Sequence, residues 1–595
     1  MPAQRIRPHW NSPFRRYAGE RTGFLSAAVL VLALCPLAAN AQAVSTTVTP
    51  TETLGLLSEA GRVSSGQKFF GDAKYVGSQT CKECHASQYD DWAKTWHAKM
   101  ERWPSPDIVV GDFNNRTINW RNIRIRDKDG KESRISPSGV TSRKGDRFYF
   151  TLLDKDNPAN NQTYEVAKVL GGNWDQGYEV RIGDNYIPAP IRWSVASRDW
   201  LIGGFRVDEW FMVDGTPDGR PRRPEELPLG RVAEAKCNGC HTTGFEFVKD
   251  ATTNVWKSVG NGELGIACER CHGPAGKHVD EAKAAKARNA TLAADKTTIV
   301  RPLKDLNALQ QTELCGQCHG RNTNKKISEL SFQLGFLPGD VDMTSRSRFW
   351  NYSGTSNPDE YAYFWPNDWA SRNRQQWQDF TKSTHFNKAG MSCITCHTFH
   401  GKWEGPQLRQ KPEEMCVGCH SSSGFARRPN AEMFEGSPMQ QAGVRCVDCH
   451  MPKIGSRSRA TSTAGHQWDT SSHTFMVATP AMEKVQGIRS SCSACHEGDG
   501  RKMPNGTQAP PMSLDDLDNL LKQRQSDTRT SIEGVQRILA SVKSTKPEAA
   551  RLVEAAQAKL NIALLDGSIS FHNFLKAEEL IGEARQMAEW AATLK

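Results

Sequence analysis

The stretch Cys446-Val447-Asp448-Cys449-His450-Met451-Pro452 contains the pattern that decides the fold. Two cysteines three positions apart can each form a thioether with one vinyl group of a haem, and the histidine that follows can bind the iron. The pattern occurs eight times, at Cys81–His85, Cys237–His241, Cys268–His272, Cys315–His319, Cys393–His397, Cys416–His420, Cys446–His450 and Cys492–His496. We number these motifs 1 to 8 in chain order, and the haem predicted for each takes the same number.

Eight covalently bound haems c are the cofactors that this pattern predicts. A zinc array or a disulfide framework has no reason to place histidine after every second cysteine. The predicted thioether residues are Cys81, Cys84, Cys237, Cys240, Cys268, Cys271, Cys315, Cys318, Cys393, Cys396, Cys416, Cys419, Cys446, Cys449, Cys492 and Cys495. The predicted proximal iron ligands are His85, His241, His272, His319, His397, His420, His450 and His496.

The N-terminus is typical of an export signal. Five arginines precede the apolar run from Phe24 to Leu37, and Ala39-Asn40-Ala41 matches a cleavage site. No later stretch is long and apolar enough to predict a membrane span. We therefore expect residues 1–41 to be a signal peptide cleaved near Ala41, with Cys35 inside it. The mature protein is then periplasmic, where haem attachment to cysteine takes place.

The composition fits a chain that packs around haems and gives no argument for nucleic-acid binding. The hydrophobic fraction is 37%, below the roughly 45–50% of ordinary soluble domains, and apolar macrocycles can replace side chains in the core. The predicted leader accounts for +4 of the formal charge of +10, which leaves +6. Two ionised propionates on each ferric haem bring about −1 per haem, so the holoprotein is expected to be near neutral.

The predicted fold is a mainly α multihaem cytochrome with extensive loops, an inserted antiparallel β-domain and long C-terminal helices. Runs rich in β-branched and aromatic residues predict strands at Thr117–Arg126, Arg147–Leu153, Thr163–Val169, Tyr178–Ile182 and Ile187–Ser194. Trp174, Trp193 and Trp200 are predicted to lie in the core of this domain. Helical spacing predicts helices at Leu514–Val542, Ala549–Leu565 and Phe571–Leu594. The predicted segments are 42–100 with haem 1, 101–230 as the β-rich insert, 231–511 as a seven-haem core and 512–595 as a helical domain.

The number of histidines limits the second axial position. The predicted mature chain has seven histidines outside the motifs, so eight irons cannot all be bound by two histidines. An open catalytic haem, a methionine or lysine ligand, or both would account for the shortfall. The candidate distal ligands are His97, His278, His385, His400, His466, His473, His572 and Met439.

The region from about Cys237 to Lys595 resembles the catalytic core of pentahaem cytochrome c nitrite reductases. The resemblance rests on Val444–Lys453 around motif 7, on Ser472-His473, on motif 8, and on Asp566–Asn573 near the end. Eight motifs in total are similar to the octahaem relatives: octahaem nitrite reductase, hydroxylamine oxidoreductase and tetrathionate reductase. The resemblance implies an open haem 4, with His572 as the distal ligand of haem 7 and His473 as that of haem 5. Met439 falls where the family has a distal histidine.

The sequence also departs from this family. Ammonia-forming nitrite reductases usually have lysine in the active-site motif, whereas all eight motifs here end in histidine. Their catalytic histidine has no counterpart, and Arg427 and Arg428 lie nearby instead. Hydroxylamine oxidoreductases cross-link a C-terminal tyrosine to the active haem, and this chain has no tyrosine after Tyr363.

Two functional hypotheses follow. The first is a periplasmic reductase of a small nitrogen or sulfur oxyanion at haem 4, opposite His319, with Arg321 as the cation that binds the anionic substrate. Its candidate proton donors are Tyr361, Tyr363, His400 and His466. The second hypothesis is a non-catalytic electron-transfer protein in which every haem has two axial ligands. Either would need a redox partner, quinol-linked or a soluble cytochrome, and the long helices predict a homo-oligomer.

Overall fold

The computed structural model describes residues 70, 72–126, 130–201, 207–213, 219–259, 262–322, 329–333, 335–341, 351–356, 358–403, 405–455 and 470–594. The predicted signal peptide and His466 lie outside these residues. All described residues belong to one compact unit, so the boundaries between the predicted segments remain predictions.

The N-terminal half contains antiparallel sheets. Its strands are β1 Glu101–Arg102, β2 Thr117–Asn119, β3 Ile123–Arg126, β4 Glu132–Ile135, β5 Ser138–Lys144, β6 Arg147–Leu153, β7 Gln162–Glu165, β8 Lys168–Gly171, β9 Asp175–Ile182, β10 Asn185–Ser194, β11 Asp199–Trp200, β12 Phe211–Met212 and β13 Arg220–Pro221. One sheet has the order β1-β8-β9-β10-β11 and a second has the order β2-β5-β6-β7, while β3 pairs with β4 and β12 with β13. Each of the five predicted strand regions contains strands, although two of the regions are divided into two strands each.

Alternating burial explains why these strands form a core. Along β6 every second residue is buried, which is the period of a strand with one face toward the interior. Phe150 packs against Tyr164 and Trp210, whose ring centroids lie 5.5 and 5.7 Å away. Trp193 and Trp200 are buried as predicted, with ring centroids 5.2 Å apart. The prediction for Trp174 is wrong, because its side chain is 50% exposed and lines the large cavity described below.

Short helices separated by loops carry the motifs. They are α1 Ser78–Lys82, α2 Ala86–Ala93, α3 Ala233–Lys236, α4 Asn238–His241, α5 Cys268–His272, α6 Gly276–Ala287, α7 Pro302–Asp305, α8 Ala308–His319, α9 Gln376–Phe380, α10 Thr384–Asn387, α11 Cys393–Cys396, α12 Pro412–Val417, α13 Asn430–Phe434, α14 Pro438–Gln441, α15 Cys446–His450, α16 Pro480–Gln486 and α17 Ser493–His496. Small strands also occur here: β14 Thr242–Thr243, β15 Glu246–Lys249, β16 Trp256–Val259, β17 Glu263–Leu264, β18 Lys453–Gly455 and β19 Thr470–Ser471.

Three long helices end the described chain: α18 Leu514–Ser541, α19 Pro547–Asp566 and α20 Phe574–Thr593. The Ser513 side chain caps α18 by accepting a hydrogen bond from the Asp516 amide, and Pro547 begins α19 where its missing N–H costs nothing. Gly567 ends α19 in the left-handed conformation. Buried alanines let α20 pack closely on α19, where Leu560 is fully buried. Within the described part of the chain, no helix is long and apolar enough to cross a membrane.

Candidate haem centres

Five pairs of histidine rings face each other at a separation that fits a haem. An iron held by two imidazole nitrogens at about 2 Å each puts the ring centroids about 6 Å apart. The pairs are His85 with His278 at 6.4 Å, His97 with His319 at 6.0 Å, His272 with His400 at 6.4 Å, His385 with His420 at 5.9 Å, and His450 with His572 at 6.0 Å. Each pair joins one motif histidine to one candidate distal histidine.

The position of His97 requires a correction. The resemblance to nitrite reductases implied an open face on haem 4, opposite His319. The structure instead places His97 there, and burial lowers the pKa of His97 to about 4, with His319 acting in the same direction. A neutral imidazole in this position is suited to bind iron. Haem 4 therefore has a candidate ligand on each face. The resemblance did not indicate this, because His97 lies in the N-terminal segment, outside the nitrite reductase-like region.

The remaining motif histidines are those of motifs 2, 5 and 8. His473 is the distal candidate for haem 5: burial lowers its pKa to about 4, and His397 is the nearest charge that adds to this shift. Neither His241 nor His496 faces another histidine ring among the described residues. Haems 2 and 8 are thus the two for which the described structure supplies no second imidazole.

Hydrogen bonds hold most of these rings in the tautomer that iron binding requires. When Nδ1–H donates to an acceptor, the lone pair of Nε2 is left for the metal. Among the motif histidines the acceptors are Val300 O for His272, Gln376 Oε1 for His319, Pro406 O for His397, Asn430 Oδ1 for His420, Phe475 O for His450 and Pro510 O for His496. Among the distal candidates they are Gln407 Oε1 for His97, Thr297 O for His278, Ser471 O for His473 and Asp566 Oδ1 for His572.

The thiols and the cavity fit the same cofactors. All sixteen described cysteines are free of disulfide bonds, so their sulfurs are available for thioethers. One continuous cavity of 2490 Å³ passes six motif histidines: His241, His319, His397, His420, His450 and His496. No cluster of three or more ligating side chains forms a separate metal site within the residues described. The residues present therefore fit covalently bound c-type haems.

Contacts between thiols of different motifs indicate the order of the haems. Four pairs are in hydrogen-bonding contact: Cys81 with Cys268, Cys240 with Cys318, Cys315 with Cys393, and Cys416 with Cys446. Burial and then a neighbouring thiol raise the pKa of Cys271 beside Cys318, of Cys396 beside Cys419, and of Cys449 beside Cys492. The motifs therefore follow the order 1, 3, 4, 5, 6, 7, 8, and motif 2 adjoins motif 4.

Positive charges act on His241, the histidine of motif 2. Burial lowers the pKa of His241 to about 4, and the positive charges of Arg374 and then Lys168 add to this shift. Arg374 has a φ of 48°, a left-handed conformation that costs a non-glycine residue about 1–3 kcal/mol. It makes no ion pair within the described structure. A strained, unpaired arginine beside a motif histidine is a candidate anion-binding group.

Lys168 reaches this site from the β-sheet. Its Nζ lies 2.7 Å from the Glu101 carboxylate and 3.9 Å from the centre of the Tyr186 ring. Burial opposes its charge, but Glu101 and Glu179 outweigh that effect and raise the pKa of Lys168. Strand β10 also contacts helix α3, directly before motif 2. The sheets are therefore part of the wall around haem 2.

Arg321 belongs to the same positive region. Burial and the nearby Arg374 lower the pKa of Arg321 to about 10. Its guanidinium donates to Asn373 Oδ1 at 2.9 Å and lies 4.7 Å from the centre of the Tyr363 ring. The Tyr361 side chain is 56% exposed, and its role as a proton donor stays a prediction.

The other predicted site residues are placed as follows. His400 faces His272, so the structure puts it at haem 3 and not near Arg321. Met439 lies on α14, and Asn505, from the loop after motif 8, donates to Gln441 O on that helix at 2.9 Å. Met439 and His496 line the same cavity. The Asn505 contact places helix α14 beside the loop after motif 8, and Met439 as a distal ligand stays a prediction.

Arg374 is the residue that sequence reasoning missed. It stands in Arg372-Asn373-Arg374, 55 residues after motif 4, and no motif marks it. Only the folded chain shows that it approaches His241. The sequence signal that could have indicated this residue is the arginine pair Arg372 and Arg374 between motifs 4 and 5. Such a pair is equally typical of a solvated loop.

Family models match three parts of the chain. The model for cytochrome c552 matches residues 419–595, the model for a doubled CXXCH motif matches 385–425, and the model for cytochrome c554 and c-prime matches 80–107 and 225–273. The cytochrome c552 match covers motif 7, motif 8 and the three long helices.

Two curated relatives and one solved structure are also similar to this chain. The dissimilatory sulfite reductase MccA of Wolinella succinogenes is 22% identical over 433 residues, 64% of this chain and 51% of that protein. The multihaem cytochrome MtrA of Shewanella baltica is 26% identical over 249 residues, 40% of this chain and 51% of that protein. This chain thus spans about half the length of each. The crystal structure of the outer cell wall cytochrome OcwA matches with a TM-score of 0.58 at 21% identity, covering 86% of this chain and 99% of OcwA. The fold of this chain is therefore similar to that of OcwA, and the chain belongs to the multihaem c-type cytochromes.

Proposed function

We propose that this chain is an octahaem reductase that delivers several electrons to a small sulfur or nitrogen oxyanion at haem 2. One observation carries the proposal: His241 faces no imidazole among the described residues and lines the same cavity as Arg374, whose positive charge, followed by that of Lys168, helps to lower the pKa of His241. The other motif histidine without a facing ring is His496, which donates its ring hydrogen bond to Pro510 O. Haem 2 thus replaces haem 4 as the candidate catalytic site.

The side chains around haem 2 would bind and orient the anion. Haem c at motif 2, when bound, supplies an iron with one exchangeable face and one-electron chemistry. Arg374, which has no acidic partner in the described structure, offers two N–H groups to an oxyanion in a fork geometry. Arg321 is held by Asn373 and adds positive charge without moving. Lys168 is already paired with Glu101, so we expect it to act on the anion through its positive charge more than through a direct hydrogen bond.

The order of the motifs supports delivery of electrons to this site. Motif 4 adjoins motifs 2, 3 and 5 through thiol contacts. Electrons that enter at either end of the series would therefore pass haem 4 before reaching haem 2. His97 and His319 would both hold the iron of haem 4, and a haem held in this way would suit that relay role better than the catalytic one.

Sulfite is the first substrate to test, because the relative MccA is a dissimilatory sulfite reductase. Nitrite and tetrathionate are the next, since both are small oxyanions. We further propose that the protein is exported to the periplasm or beyond, receives electrons from a quinol-linked or soluble redox partner, and forms a homo-oligomer.

The experiment compares anion binding to the oxidised holoprotein and to two arginine variants. Arg374→Gln is expected to weaken sulfite or nitrite binding about 10- to 100-fold, because a charge-assisted hydrogen bond contributes roughly 1.5–3 kcal/mol. Binding is measured from the change in haem absorption. Arg427→Gln is the matched control, since Arg427 has the same φ of 48° but is exposed. Equal affinity in both variants would remove Arg374 from the site.

A second candidate function is long-range electron transfer without turnover. The continuous series of motifs 1, 3, 4, 5, 6, 7 and 8 supports it, as does the fold match with OcwA. The two functions are separated by adding sulfite, nitrite or tetrathionate to the fully reduced protein. A reductase is reoxidised within seconds by its substrate, whereas an electron-transfer protein stays reduced until an external redox partner is added.

A further inference from the structure

Asp566 is a buried carboxylate with an unusual partner. It is the last residue of α19, and its side chain is fully buried. Its Oδ1 accepts a hydrogen bond of 2.6 Å from Nδ1 of His572, the histidine that faces His450 at haem 7. Every other hydrogen bond from a histidine ring in the described structure goes to a carbonyl or an amide oxygen. His572 is thus the one described histidine whose ring donates to a carboxylate.

Asn430 extends this contact to haem 6. Its Nδ2 donates to Asp566 O at 2.6 Å and to Asp566 Oδ1 at 3.1 Å. Because an ionised carboxylate only accepts, the amide nitrogen must face Asp566, and Asn430 Oδ1 must face the other way. There it accepts from Nδ1 of His420 at 3.2 Å. A series of hydrogen bonds therefore joins the motif histidine of haem 6 to the distal candidate of haem 7. It runs through His420, Asn430, Asp566 and His572 in that order.

The loop after α19 is shaped to keep Asp566 and His572 together. Ile569 and Ser570 both have positive φ values, 52° and 69°, and the left-handed region is strongly unfavourable for a β-branched residue such as isoleucine. Ser568 donates to Asp566 Oδ2, and its Oγ accepts from the His572 amide at 3.0 Å. The strain indicates that the chain is held in this turn by the contacts it makes there.

We propose that Asp566 sets the reduction potential of haem 7 below that of the same haem with a neutral partner, and that Asn430 links it to haem 6. A carboxylate at Nδ1 increases the basicity of the imidazole, so Nε2 donates more electron density and stabilises the ferric state. The couple concerned is the one-electron ferric–ferrous change, and the Nδ1 proton stays between His572 and Asp566 in both states. Asp566 is a positioning residue that acts through His572.

The first test is a redox titration of the holoprotein followed by electron paramagnetic resonance. Asp566→Asn keeps an oxygen for His572 but removes the charge. We expect the midpoint of one low-spin haem to rise by the equivalent of about a tenfold shift toward the ferrous form, which is 59 mV for one electron. Asp518→Asn is the matched control, because Asp518 is also buried but binds Lys484 and Lys522. The proposal fails if Asp566→Asn moves no midpoint, or moves it no more than the control.

The second test uses Asn430→Ala and keeps the proposal testable even where Asp566→Asn does not fold. Loss of the amide removes the acceptor of His420, so the midpoint of haem 6 should rise. It also removes a donor from Asp566, which leaves a more basic carboxylate on His572, so the midpoint of haem 7 should fall. Shifts of opposite sign support the link. Two unchanged midpoints, or two that move in the same direction, would overturn it.

Discussion

Haem 2 and haem 7 have opposite surroundings in the same chain. At haem 7, His450 and His572 face each other at 6.0 Å, and the buried carboxylate of Asp566 binds the second ring. At haem 2, His241 faces no imidazole within the described residues, and the positive charges of Arg374 and Lys168 help to lower its pKa. The same five-residue motif therefore occurs in two settings that suit different chemistry.

The comparison shows that the motif attaches the haem while distant segments decide its role. Two imidazoles and a negative charge favour the ferric state and leave no face for a substrate. One imidazole and the Arg374 guanidinium, which makes no ion pair in the described structure, would leave a face open and attract anions. His572 is supplied from 122 residues after His450, and Arg374 from 133 residues after His241. The tertiary structure, and not the local motif, thus decides the role of each haem.

The largest expected effect comes from removing His97. This residue gives haem 4 a second imidazole, which haem 2 lacks among the described residues. His97→Ala should convert haem 4 from low-spin to high-spin, because His319 would then be its one remaining axial ligand. The number of high-spin ferric haems, counted by electron paramagnetic resonance, should increase by one. His278→Ala should give the same increase through haem 1. An unchanged count in His97→Ala would restore haem 4 as the open site.

A smaller effect is expected at haem 8. If Met439 completes that haem, Met439→Ala should abolish the near-infrared band of a sulfur–iron bond, while the other haems keep their spectra. Met433→Ala is a control on the neighbouring helix, because Met433 is buried against Leu580 and Ala577 away from the motif. A spectrum that is the same before and after the Met439 change would remove this methionine as a ligand.

The sequence predicted the features that depend on local patterns. The eight motifs, the alternating strands such as Arg147–Leu153 and the three long helices all follow from spacing that a short segment carries. The list of candidate distal histidines was also within reach, because few histidines lie outside the motifs. Five of the seven face a motif histidine in the structure, and His473 lies near another.

The resemblance implied His572 for haem 7, and its ring faces His450 in the structure, but the sequence could not predict that His97 would face His319 at haem 4. His97 pairs with His319 across 222 positions, because the segment after haem 1 folds back onto motif 4. The resemblance to nitrite reductases covered the region from Cys237 onward and could not include a ligand that precedes it. Arg374 was missed for the same reason: its approach to His241 depends on the packing of two loops and on a left-handed backbone that no residue type announces.

Electron paramagnetic resonance of the fully oxidised holoprotein, with and without sulfite or nitrite, tests the central claim most directly. The account predicts a high-spin ferric haem whose signal changes when the anion is added, and a much weaker change in Arg374→Gln at the same anion concentration. Eight low-spin haems that do not respond to either anion would contradict an open haem 2 and favour electron transfer as the function.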